Sequence, residues 1–204
     1  MQRLLKNSKS PLSFHPIALI FGLLSFVSYL VEGAVGDWSA LYLFEDKGIV
    51  IEEAVMGVML FNGTMCIGRL LGNRLGKHLT SKQVVVGGYL LGSIAMGLIV
   101  FLPGHASMYT YLLLGISLAM IVPNLFSAMG EQNVIPMTQA VATSTMLGYM
   151  GILMGPALIG FIAHGTSLTV AFIVLTILLV VSAGIGKYAY HLMSKDCGLS
   201  EEQI

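Results

Sequence analysis

Six long apolar runs, at about residues 17–43, 54–74, 83–102, 107–128, 138–163 and 167–190, leave room in this chain for little else. Each is long enough for a helix to cross the hydrocarbon core of a bilayer, which takes about 20 residues. Only 10% of the 204 residues are charged and 56% are hydrophobic, against about 25% charged in an ordinary soluble domain. A water-soluble surface cannot be made from that composition. In lipid, backbone groups are satisfied only by helices or closed barrels, and these runs lack the period-2 alternation of barrel strands. The expected fold is therefore all-α: a polytopic membrane protein with six transmembrane helices over 17–190, flanked by short segments at 1–16 and 191–204. The breaks between runs, such as Glu45-Asp46-Lys47-Gly48 and Pro103-Gly104-His105, are short, so successive helices are antiparallel neighbours.

Ten Lys and Arg balance ten Asp and Glu, and a net charge of zero argues neither for nucleic acid nor for general attraction to anionic lipid, so no nucleic-acid partner is expected. The distribution says more than the sum. With the N-terminus inside, Arg3, Lys6, Lys9, Arg69, Arg74, Lys77, Lys82, Lys187 and Lys195 all fall on the cytoplasmic side and only Lys47 falls outside, which predicts a multi-pass membrane protein with both ends cytoplasmic. The 129–137 connection runs against this trend, holding Glu131 and no cation. The basic start resembles a signal n-region, but the following run is about twice an h-region in length and contains acids, so it reads as a retained helix.

Soluble-type chemistry is missing from the pattern. There is no Walker loop, His-Glu-x-x-His or Gly-x-Ser-x-Gly, and phosphate-driven pumping and hydrolysis are poor readings. Cys66 and Cys197 supply neither a disulfide framework nor metal-ligand spacing, and the five histidines are dispersed. No enzyme activity, cofactor or metal is expected.

Against this apolar background, the acids Glu32 and Asp37 and the neighbouring Trp38 in the first run need a reason. An ionised group near the bilayer centre costs about 2.5–3.5 kcal/mol on insertion scales and usually faces protein or a wet cavity, marking a substrate or ion path. Glu32 falls near mid-depth, either facing a cavity or bonded within the bundle. Asp37 lies nearer the outer interface, as a pathway group or a solvated cap. Gly33 and Gly36 between them make an interrupted helix one expectation. Asn62 in the second run, Asn124 in the fourth and Tyr149 in the fifth extend the polar set. Polar residues thus concentrate in spans one, two, four and five, leaving three and six for lipid. In the fifth, Ser144, Gly148, Gly151 and Gly155 advance by 4, 3 and 4 residues just before Pro156, a small-residue face for close helix packing or a hinge. Arg69 and Arg74 end the second span as cytoplasmic anchors, with Arg69 snorkelling to the headgroups.

Residues 32–43, Glu-Gly-Ala-Val-Gly-Asp-Trp-Ser-Ala-Leu-Tyr-Leu, resemble the seventh helix of a bacterial branch of the major facilitator superfamily near the fucose-permease-like proteins. Residues 148–156, Gly-Tyr-Met-Gly-Ile-Leu-Met-Gly-Pro, resemble the eleventh helix of the same proteins. Arg74-Leu75-Gly76-Lys77 is similar to the second copy of the family's cytoplasmic turn, which helps set its conformational balance, except that Asn73 replaces the acid. The resemblance covers the C-terminal six of the family's twelve helices. It implies half of a bundle built as an inverted 3+3 repeat, with its first, second, fourth and fifth helices around the cavity. It further implies a secondary transporter, or half of one, for a small solute, possible proton coupling through Glu32, and a second six-helix half supplied by another chain or by a second copy. A non-transporting remnant, or a scaffold that uses the Gly151 face to bind partner helices, is the alternative from a different class.

Overall fold

The computed structural model of the protein describes residues 15–75, 79–132 and 134–197. They form seven α-helices: α1 Pro16–Glu45, α2 Ile51–Leu75, α3 Ser81–Phe101, α4 Gly104–Ala119, α5 Ile121–Glu131, α6 Met137–Gly165 and α7 Leu168–Cys197. Helices α4 and α5 together make one span, so six segments are long and apolar enough to cross a membrane. No strand occurs among the described residues.

Local chemistry sets several of the ends. Pro16 occupies the first turn of α1, where its missing N–H has no intrahelical role, and the His15 ring accepts from the Ile17 N–H at 3.4 Å. Thr80 begins α3 with a reciprocal capping box: its hydroxyl accepts from the Gln83 N–H while the Gln83 side chain accepts from the Thr80 N–H. After α1 the chain turns through Gly48, whose φ of 67° is in the left-handed region. Lys47 in that turn donates to the carbonyls of Val100 and Leu102 at 2.6 and 2.9 Å, closing the C-terminus of α3 with a cation where the helix dipole is negative. Burial lowers the Lys47 pKa, with Asp46 opposing the shift.

Three expectations need correction. The first helix is not interrupted at Gly33 and Gly36; α1 is continuous for 30 residues. Gly33 is there for proximity, since a Cβ at that position would lie 2.9 Å from the Ile152 carbonyl oxygen. The break comes instead in the fourth span at Met120. Pro123 has no N–H for the Ala119 carbonyl and its ring excludes that oxygen, so α4 stops and α5 restarts one residue later. Span three is not simply a lipid-facing helix either. Its Tyr89 is fully buried, and the hydroxyl donates to the Leu24 carbonyl at 2.7 Å and pairs with Ser28 Oγ at 2.8 Å, tying α3 to α1. In addition, the last helix runs to Cys197, seven residues beyond its expected end.

Span three packs extensively on span four, and three further pairings are also extensive: span one with span five, span two with span four, and span three with span six. Exchanging spans one and four, two and five, and three and six maps those three pairings onto themselves, as a 3+3 repeat requires. The equivalent contacts share a device. On α6, a Cβ at Gly151 or Gly155 would collide with the Phe26 or Leu30 carbonyl of α1; on α4, a Cβ at Gly115 would collide with the Phe61 carbonyl of α2. In lipid, where apolar surfaces gain little from meeting each other, such backbone approach is what makes helix contact favourable.

Replacing Gly151 by Leu should therefore cost about 1–3 kcal/mol of folding free energy. Gly36→Ala, where a Cβ meets nothing within 4 Å, should be neutral or stabilising by up to about 1 kcal/mol, because Gly is a poor helix former. Reversible unfolding in mixed micelles, followed by circular dichroism, measures both; equal effects would contradict the packing account.

Candidate functional site

Helix α1 is the most buried of the six spans, and the two that flank its polar middle, α2 and α6, are the least buried. Glu32 lies about 24 Å along the helix axis from Pro16 and about 20 Å from Glu45, using the 1.5 Å rise per residue. Its carboxylate meets Arg69 from α2. One guanidinium nitrogen, Nη2, donates to both oxygens, at 3.1 Å to Oε2 and 3.3 Å to Oε1. Arg69 therefore does not reach away to the headgroups as the sequence led one to expect; its side chain is directed at the acid. The side chains remain 22% exposed for Glu32 and 42% for Arg69, so the pair is held at an open face of the bundle and is accessible to a further ligand.

Beside the pair, Tyr29 lies on the turn of α1 before Glu32 and stacks on Tyr149 of α6, with ring centroids 6.2 Å apart and planes 7° from parallel. Gly148 makes the stack possible, because a Cβ there would come within 2.7 Å of the Tyr29 ring. Tyr149 is 62% exposed, leaving an aromatic surface open next to a carboxylate and a guanidinium. On α2, Asn62 and Cys66 precede Arg69 by seven and three residues, on the same helical face, and both are exposed. The Asn62 amide donates to the Val58 carbonyl of its own helix at 3.0 Å.

The other sequence candidates fall elsewhere. Asp37 is exposed, about 140° around α1 from Glu32 at 100° per residue. Trp38 belongs to the α1–α6 contact: its indole N–H donates to the Pro156 carbonyl at 2.9 Å, and its ring covers Gly160. It also lines a cavity of about 490 Å³ at the Glu45 end of α1, with Glu45, Asp46 and His164. Asn124 is half-buried, and its side-chain amide donates to the Met120 carbonyl at 2.8 Å, the same oxygen that accepts from the Asn124 backbone N–H at 3.2 Å. The Asn124 amide is thus occupied by its own helix. Ser144, Gly148, Gly151 and Gly155 are buried against α1 or α5, and Ser144 bonds Met129 Sδ. Pro156 is inside the unbroken α6; it leaves the Ile152 carbonyl without its usual donor, and that is the oxygen facing Gly33. Arg74 is in the last turn of α2, but its side chain and residues 76–78, Lys77 among them, lie outside the described residues. Among those described, no group of His, Cys, Asp and Glu is disposed to hold a metal ion.

Sequence reasoning missed the Glu32–Arg69 contact and did not single out Tyr29. One signal was available: Arg69 lies well over a turn inside the end of α2, deeper than an anchoring cation needs to be.

No family model matches the chain. It is similar to an uncharacterised MFS-type transporter of Yersinia pestis, 41% identical over 168 residues that make up 81% of this chain and 43% of that protein. It is also similar to the membrane protein MosC of Rhizobium meliloti, 31% identical over 151 residues, 74% of this chain and 37% of MosC. Among solved structures, the Escherichia coli fucose:proton symporter FucP superposes with a TM-score of 0.74 at 16% identity, over 92% of this chain and 44% of FucP. The chain spans less than half the length of each of these relatives. Its sequence relatives and its six-span fold make it a member of the major facilitator superfamily, represented by one six-helix unit.

Proposed function

We propose that this chain forms the C-terminal half of a secondary transporter that moves a small polar solute by alternating access, and that Glu32, Arg69, Tyr29 and Tyr149 are its share of the central site. The observation that carries this reading is the mid-span Glu32–Arg69 pair, left open on one side and bordered by an exposed tyrosine stack. Intramembrane charges are expensive and their usual purpose is a pathway. A second six-helix half, on another chain, a second copy or further sequence, covers this face and completes the cavity. The bundle is embedded in a bacterial inner membrane, with the ends of α2 and α7 that carry Arg74, Lys187 and Lys195 on the cytoplasmic side.

Protonation supplies a coupling step with simple chemistry. A proton on Glu32 removes the negative charge that holds Arg69 and frees the guanidinium for a solute oxygen. Loss of that proton restores the pair and returns Arg69 to Glu32. The likeness to FucP, a fucose:proton symporter, supports a solute rich in hydroxyl groups, for which a carboxylate, a guanidinium and an aromatic face are suitable partners. Asn62 borders the same route, along the α2 wall on the face that carries Arg69; Asp37, on another face of α1, does not.

In the completed transporter reconstituted into vesicles, Glu32→Gln should abolish uptake driven by a proton gradient and leave solute exchange within a few-fold of wild type. Unchanged gradient-driven uptake would remove Glu32 from the coupling step. Tyr149→Ala should raise the KM for exchange about 2- to 10-fold, the equivalent of about 0.5–1.5 kcal/mol for an aromatic contact, while Tyr149→Phe stays near wild type. Equal KM values for all three proteins would place the stack outside the solute site.

A further inference from the structure

Of the two acids inside α1, Glu32 has an ionic partner and Asp37 has none: no hydrogen bond or ion pair joins Asp37 to any described residue, and it is exposed. Its depth makes that unusual. Asp37 is eight residues short of Glu45, about 12 Å along the axis. The 30 residues of α1 extend about 45 Å, so Asp37 is about 10 Å from the helix midpoint, within the half-thickness of about 15 Å of a hydrocarbon core. The polar band at the Glu45 end does not reach it. Ala40 and Leu41 fill the next turn, and Phe44, seven residues on and so on the same side of α1, is an exposed apolar ring between Asp37 and that band. Nor can the helix turn the acid away, because Trp38 beside it is bonded to the Pro156 carbonyl and covers Gly160, fixing α1 against α6. On the other side of Asp37, Gly36 is exposed, with open space where a Cβ would be, so a foreign side chain can come close to the carboxylate.

We propose that Asp37 docks a Lys or Arg side chain carried at the same depth by a helix of a six-helix half different from this chain. An ionised carboxylate among acyl chains is costly, and a cation brought into contact by another helix lowers that cost. This rests on the reading above that a second half covers the open face of the bundle, and adds what kind of half it is. A second copy of this chain does not supply the cation. Two copies inserted the same way place equal residues at equal depth. Arg69 is paired at the depth of Glu32, and the Lys47 ammonium is held beyond the span by the Val100 and Leu102 carbonyls. In sequence, every other Lys and Arg adjoins the opposite end of the spans. A two-fold dimer through this face would set Asp37 against apolar surface or its own copy. A cationic solute in the Glu32 site is the wrong occupant too, because Asp37 is about 140° around the helix from that site.

Photocross-linking in membranes of the source organism tests this, with p-benzoylphenylalanine placed at position 36 of the full chain. Irradiation should join the chain to a different polypeptide, and the cross-linked peptide should carry a Lys or Arg within an apolar span. Asp37→Asn should lower the adduct yield about fivefold or more, and Asp37→Glu should retain most of it. An adduct with a second copy of this chain, a cross-linked peptide without Lys or Arg, or an equal yield from Asp37→Asn would overturn this assignment and leave the Glu32 site as it stands. Adducts with lipid alone would overturn it and would also remove the second half on which the transport reading depends.

Discussion

The contact between α1 and α6 carries the architecture of the polar site, because Gly148, Gly151 and Gly155 bring the two backbones close enough for the Tyr29 ring to lie across a glycine and stack on Tyr149. The same contact takes up the irregularity at Pro156, whose carbonyl accepts from Trp38 and whose missing N–H leaves the Ile152 oxygen facing Gly33. With α1 fixed in this way, Glu32 projects to the side where α2 supplies Arg69. Larger side chains on the α6 stripe would push the helices apart and lose the aromatic stack, although none of the charged groups would have changed.

Electrostatics then decides what such a site can do. An isolated carboxylate or guanidinium at this depth would be costly; paired, each lowers the cost of the other. A pair buried on all sides would be a structural element only. Here both side chains keep a share of exposed surface, so the attraction is strong enough to order them and the opening is wide enough for a third group to compete. Lys47, at the far end of the bundle, does a different job: its ammonium is occupied by two carbonyls at the end of α3 and holds the α1–α2 turn in place.

The six spans were legible in the sequence because hydrophobic length is a local property, and their ends fall within a few residues of expectation except at α7. Contacts were less legible. Gly33 and Gly36 read as helix breakers in one dimension, yet Gly33 faces a neighbouring carbonyl and α1 stays whole. Pro123 was the real breaker, and Asn124 beside it looked like a pathway residue until its amide proved to bond Met120. Arg69 looked like an anchor because its partner is 37 residues away in sequence. Spacing along one helix gave the α6 glycine stripe; no spacing rule gives the pairing of a residue on α1 with one on α2.

The central claim is that the Arg69 face of α2 borders a water-filled path and not lipid. Cys66 reports on it directly, since its thiol is exposed three residues from Arg69 on the same face. In the assembled transporter, with Cys197 replaced by Ser, the rate at which a charged, membrane-impermeant thiol reagent labels Cys66 should be measurable and should fall when transported solute is present. If Cys66 reacts only with apolar, membrane-permeant maleimides and solute gives no protection, that face looks onto acyl chains and the account is wrong.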